Sequence, residues 1–243
     1  MSNLDYKLQL EKAIADLYKV FAAYPLNLQM KGCPCCVHPK ENELLLTRSL
    51  RSLTANNLNH YAFNAALTWG DINDLKHFLP RLLELWAFDK DLFYGEFVIS
   101  RLSTIGLANW EEKERKAIEQ YLISLWQYIL SEYPSPSTEV ADLIDCLSDT
   151  LDDFELLLSM WQNHSSSNSL LHLSDFILYG FEFNRIPVSS IYLSEVHTHK
   201  FFNWVTQDKL IQKIEQYIYH NLEEDRAEQL AMTVDILNCA KIS

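Results

Sequence analysis

The stretch Ile72-Asn73-Asp74-Leu75-Lys76-His77-Phe78-Leu79-Pro80-Arg81-Leu82-Leu83-Glu84-Leu85-Trp86 decides the fold class. Leu75, Leu79, Leu82 and Trp86 fall at offsets of 0, 4, 7 and 11, the spacing that lines one face of an α-helix. The same offsets recur at Leu10, Ile14, Leu17 and Phe21, and again at Ile118, Leu122, Leu125 and Ile129. Pro80 interrupts the first pattern, removes one backbone donor and predicts a kink. Further helices are expected at about 55–69, 89–104, 139–148, 152–162, 170–182, 190–205, 208–220 and 223–240. Asn109 followed by Glu112 has the spacing of a capping box, in which the two side chains close the first turn of a helix.

Outward from these segments, no run alternates with period two, and no Asn-Gly or Asp-Gly hairpin turn occurs. Only five glycines are present, at 32, 70, 95, 106 and 180, so the left-handed turns that hairpins and phosphate cradles need are scarce. The class is all-α. Trp86, Trp126, Trp161 and Trp204 are spaced by 40, 35 and 43 residues, near the period of helix-pair repeats. Two architectures remain open: stacked helical hairpins forming a HEAT-like α-α superhelix, or an irregular helical bundle. The connectors fall at residues 26–42, 134–137 and 163–169. The chain is expected to form a single helical domain over 1–243, with the polar stretch at 163–169 as the candidate subdomain boundary.

A hydrophobic share of 48% with 12% aromatic residues gives enough apolar surface for a core and excludes a disordered chain. The net charge of −13 repels phosphate backbones, and no basic patch offsets it, so nucleic acid is not an expected partner. The N-terminal segment lacks the uninterrupted apolar core of a secretion signal, and no apolar run approaches the length of a membrane span. The expectation is a cytoplasmic protein with reduced thiols and no membrane partner.

Three of the five cysteines fall in Lys31-Gly32-Cys33-Pro34-Cys35-Cys36-Val37-His38-Pro39-Lys40. Zinc wants four soft or borderline ligands. Cys33 and Cys36 give a Cys-x-x-Cys knuckle, Cys35 or His38 a third ligand, and His60 or His77 a fourth if their helices pack against the loop. A redox reading uses the same atoms, with Lys31, His38 and Lys40 stabilising a thiolate and a neighbouring cysteine resolving an oxidised one. A third reading makes the loop a proline-stiffened packing element.

Other clusters carry blander readings. The acids Glu139, Asp142, Asp145, Asp149, Asp152, Asp153 and Glu155 read as a solvated face opposite Val140, Leu143, Leu147 and Phe154. His197 and His199 diverge on a helix and read as surface or capping residues. Trp69-Gly70-Asp71 reads as a tight turn in which Asp71 caps the following helix. Nucleophilic triads, glycine-rich phosphate loops and His-Glu-x-x-His are missing from the sequence.

The run Thr68-Trp69-Gly70-Asp71, continuing through Asp74, His77, Phe78, Leu79, Pro80, Arg81, Leu82, Leu83 and Glu84, resembles a family of uncharacterised bacterial all-helical proteins. That family also carries a Gly-Cys-Pro-Cys-Cys loop upstream and a Tyr-Ala-Phe segment between, matched here by Gly32 to Cys36 and Tyr61-Ala62-Phe63. The resemblance spans residues 24–86 and implies no activity.

Two functions are carried forward. The first is a non-enzymatic helical module that binds a protein partner, with Cys33, Cys35, Cys36 and His38 as a metal- or thiol-bearing element and zinc as the expected metal. The second is a thiol- or metal-dependent enzyme in which those cysteines act over a pocket formed with Trp69, Asp71 and His77.

Overall fold

The computed structural model of the chain describes residues 3–89, 95–135, 137–182, 189–190, 193–221 and 225–241. The fold is all-α, as the apolar spacing requires. The helices are α1 (Asn3–Phe21), α2 (Pro39–Thr47), α3 (Ala55–Asn64), α4 (Ile72–Phe88), α5 (Gly95–Thr104), α6 (Glu112–Ser131), α7 (Val140–Leu151), α8 (Phe154–Gln162), α9 (Asn168–Gly180), α10 (Glu195–Val205), α11 (Asp208–His220) and α12 (Asp225–Ala240). Extended pairing among the described residues amounts to isolated bridges and a two-residue antiparallel ladder, β1 (Phe181–Glu182) with β2 (Ser189–Ser190). None of the helices is long and apolar enough to cross a membrane among the described residues.

The chain divides into two compact units, one of residues 7–125 with 136–138, the other of residues 1–6, 126–135 and 139–243. In the first unit, α4 runs unbroken through Pro80 and buries Leu75, Phe78, Leu79, Leu82, Leu83 and Trp86. α3, α4 and α5 pack on one another, and Tyr121 donates to the Leu83 carbonyl at 2.8 Å, fixing α6 against α4.

A charged network is enclosed in this unit. Lys76 Nζ lies 2.7 Å from Glu114 Oε2 and 3.0 Å from the Tyr24 hydroxyl, which itself donates to Glu114. The ammonium sits over the rings of Trp110 and Tyr24, at 4.2 and 4.7 Å from their centroids. Glu114 also accepts from the Glu111 amide. Burial works against both charges, but these hydrogen bonds outweigh it, holding the Lys76 ammonium above its ordinary value and the Glu114 carboxyl below its own. The start of α6 also departs from the capping reading: Asn109 belongs to a short 3-10 turn, and Glu111 with Glu114 closes the helix two residues later.

In the second unit, Trp126, Trp161, Phe176, Phe201 and Trp204 form one aromatic core. Each indole finds an acceptor, Trp126 at Leu157 O, Trp161 at Ser169 O and Trp204 at Gln162 Oε1, which is how large amphipathic rings are buried without loss. Residues 163–169 lie inside this unit and are tied down: His164 Nε2 lies 3.0 Å from Gln127 O and its ring stacks on Tyr6, while Asn168 donates to Ser131 O. The acids of residues 139–155 follow the amphipathic reading. Val140, Leu143, Leu147 and Phe154 are buried, Asp153 caps α8, and Glu155 pairs with Lys200. His197 stacks on Phe154 at 4.4 Å.

Several boundaries differ from the sequence reading: Asp89 is extended where a helix over 89–104 is expected, residues 181–182 and 189–190 pair as β1 and β2 where helix ends are expected, and α10 begins at Glu195. The helix expected to reach residue 69 stops at Asn64, because Ala65 turns extended and Ala66 takes a left-handed φ of 56°. Within the connector expected at 26–42, α2 already begins at Pro39, with His38 as its cap.

Candidate functional site: a three-sulfur loop on the Trp69 corner

The site lies in the first unit. The bend after α3 brings Trp69 back alongside Gly32, and the two strands are joined by main-chain bonds: Cys33 N to Thr68 O at 2.7 Å and Gly70 N to Lys31 O at 3.0 Å. Asn42 clamps the same junction, donating to Met30 O and accepting from the Trp69 indole at 2.8 Å. The Trp69 ring is buried between His60 and Tyr61, and Tyr61 in turn packs edge-on to Phe78. The corner therefore rests on the core of the unit.

Two glycines make the geometry possible. A Cβ on Gly32 would come within 2.5 Å of Val37 Cβ, so the loop closes over itself only without a side chain there. Gly70 has φ +69°, a left-handed turn that delivers Asp71 to the start of α4. Asp71 then accepts from the Asn73 and Asp74 amides, and Asp74 accepts from the Asp71 amide, so the expected cap is present in full.

After the Gly32 bridge the chain folds into a tight turn, with Cys36 N and Val37 N both donating to Cys33 O. The turn collects the three sulfurs. Cys33 Sγ lies 2.8 Å from Cys35 Sγ, Cys35 Sγ lies 3.6 Å from Cys36 Sγ, and all three fall within 4.8 Å of one another. Cys35 and Cys36 are exposed and Cys33 half-buried, and none is in a disulfide. The hydrogen bond from Cys35 holds the Cys33 thiol below its ordinary value, and the same contact pushes Cys35 up to about 11.

The other residues singled out from sequence are spent elsewhere. His38 caps α2, its Nδ1 accepting from Lys40 N while Glu41 accepts from His38 N. His60 Nδ1 pairs with Glu41 Oε1 at 3.1 Å. His77 Nδ1 lies 2.9 Å from the Tyr24 carbonyl. Among the described residues, the group placed to hold a metal is the three cysteines, without His38, His60 or His77. Trp69 supports the loop from below, and the Asp71 carboxylate is committed to the cap.

The donor set suits a thiophilic metal. Zinc–sulfur bonds of about 2.3 Å place two thiolates on one tetrahedral ion about 3.8 Å apart. The Cys35–Cys36 separation already matches, and Cys33 and Cys35 need to part by roughly 1 Å. In the same unit, the exposed Phe63 and Phe97 meet edge-on at 5.6 Å, and Leu67 stands exposed next to Thr68, which bonds the loop. Sequence reasoning overlooked these exposed apolar side chains; the signal available was Phe63, which falls on the face of α3 away from Tyr61.

No protein-family model, curated protein or solved structure matches the chain.

Proposed function

We propose that the protein is a non-enzymatic helical interaction module whose Cys33–Cys35–Cys36 loop holds one zinc ion and presents the neighbouring surface to a protein partner. The observation that carries this reading is the convergence of three sulfurs within 4.8 Å on a turn braced by main-chain bonds. Three thiolates from so short a loop leave the fourth zinc position to water or to a ligand supplied by the partner. Phe63, Leu67 and Phe97 would give that partner apolar contact, and stacked helical hairpins would offer it an extended face. The acidic balance favours a protein partner over nucleic acid, and an intracellular location would keep the thiols reduced. The enzyme reading draws less support, because Asp71 and His77 are engaged in structural hydrogen bonds.

The reduced chain, incubated with zinc and then dialysed, should retain one zinc per molecule by elemental analysis, and Cys35→Ser should retain far less. Equal and negligible zinc in both proteins would refute the metal reading.

A further inference from the structure

We propose that the same loop is a site of reversible oxidation by hydroperoxides, in which Cys33 and Cys35 join as an intraloop disulfide while Cys36 stays a thiol. The inference goes beyond the metal reading and holds for the metal-free chain.

Separation selects the pair. Cys33 Sγ and Cys35 Sγ are 2.8 Å apart, whereas Cys35 and Cys36 are 3.6 Å apart. A disulfide needs about 2.05 Å, so Cys33 and Cys35 close by under 1 Å of movement. Access is available as well, since Cys35 is exposed and Cys33 half-buried. The loop can absorb the closure, because Cys36 N and Val37 N both hold to the Cys33 carbonyl and Cys33 N holds to Thr68 O, bonds that leave the side chains unconstrained.

The chemistry balances in two steps. The sulfur of one deprotonated cysteine of the pair attacks the distal oxygen of the hydroperoxide. The O–O bond breaks, that sulfur becomes a sulfenic acid, and the leaving alkoxide or hydroxide takes up a proton as alcohol or water. The second sulfur then attacks the sulfenic sulfur, the S–S bond forms, and the hydroxyl leaves with the second thiol's proton as water. Two thiols are oxidised by two electrons and one hydroperoxide is reduced. A dithiol reductant reverses the bond by exchange.

The test uses the full-length chain, reduced and stripped of metal, treated with hydrogen peroxide in graded amounts. Intact mass and thiol counts under denaturing conditions should show loss of two hydrogens and two thiols per monomer, at a rate at least about tenfold above that of the exposed Cys239. The Cys36→Ser variant should form the bond as the native chain does. Cys33→Ser and Cys35→Ser should instead accumulate products carrying added oxygen. Loss of two hydrogens in Cys35→Ser at the native rate, through some other cysteine pair, absence of the bond in Cys36→Ser, or oxidation of the pair no faster than Cys239 would each overturn the proposal. Zinc retention by the reduced chain is scored separately, so failure of the oxidation leaves the metal reading standing, and the converse.

Discussion

Replacing Glu114 by alanine would strand the Lys76 ammonium inside the first unit. Lys76 is 7% exposed and Glu114 fully enclosed, and among the described residues Glu114 is the carboxylate that meets that ammonium, at 2.7 Å. Removing one member of a buried ion pair costs about 3–5 kcal/mol, because the remaining charge loses its counter-charge without regaining water. The Tyr24 hydroxyl and the rings of Tyr24 and Trp110 would still face Lys76 and recover part of that, at about 0.5–2 kcal/mol for the aromatic contacts. The Glu111 amide loses its acceptor at the helix start, adding about 1 kcal/mol. The net expectation is a loss of about 2–5 kcal/mol. The double variant Lys76→Met, Glu114→Leu removes both charges and should recover most of it, since a hydrophobic replacement of a buried pair is often neutral or better. Urea unfolding followed by the helical circular dichroism signal at pH 7 would measure both. A Glu114→Ala chain within about 1 kcal/mol of the native one, or a double variant less stable than the single, would refute the assignment of this network as a lock between the segment after α1, α4 and α6.

Two further outcomes follow from the geometry. Gly32→Ala should destabilise the loop by about 1–3 kcal/mol, since its Cβ meets Val37 close to the backbone, and should weaken zinc retention; an unchanged melting temperature and zinc content would disprove the close approach. His164 is pushed down to about 4 by burial, so between pH 4 and 6.5 the unfolded chain binds a proton that the folded chain refuses. Stability is present in full above pH 6.5 and falls as pH drops through that window, by about 1–3 kcal/mol after solvent screening, with His172 acting in the same direction. Urea midpoints from pH 7 to 4 should fall less steeply for His164→Gln, and parallel curves would count against the argument.

The helical class was legible because apolar spacing is a local signal: the faces read at Leu75 to Trp86, Leu10 to Phe21 and Ile118 to Ile129 are the ones buried. Asp71 was legible as a cap for the same reason, since its partner amides lie two and three residues away. The end of α3 was not, because Ala65 and Ala66 have no intrinsic reason to leave a helix; the main-chain bonds from Trp69, Thr68 and Gly70 to the Cys loop and to Asn64 decide it. α2 could have been found from Pro39 in the first turn and Glu41 three residues after His38, a capping pattern partly hidden by the unusual histidine. The cysteines were visible as a cluster, but which partners they meet is a long-range question. His38 is close in sequence and still turns to its own helix, and the Lys76–Glu114 pair, 38 residues apart, left no local trace.

The junction between Gly32 and Trp69 is held by amides and carbonyls, with the Asn42 side chain as a brace, so the thiols decorate a frame they do not build. The side chains at 33, 35 and 36 can therefore be exchanged with little expected penalty to folding, because the bonds that hold this corner are made by main chain and by Asn42.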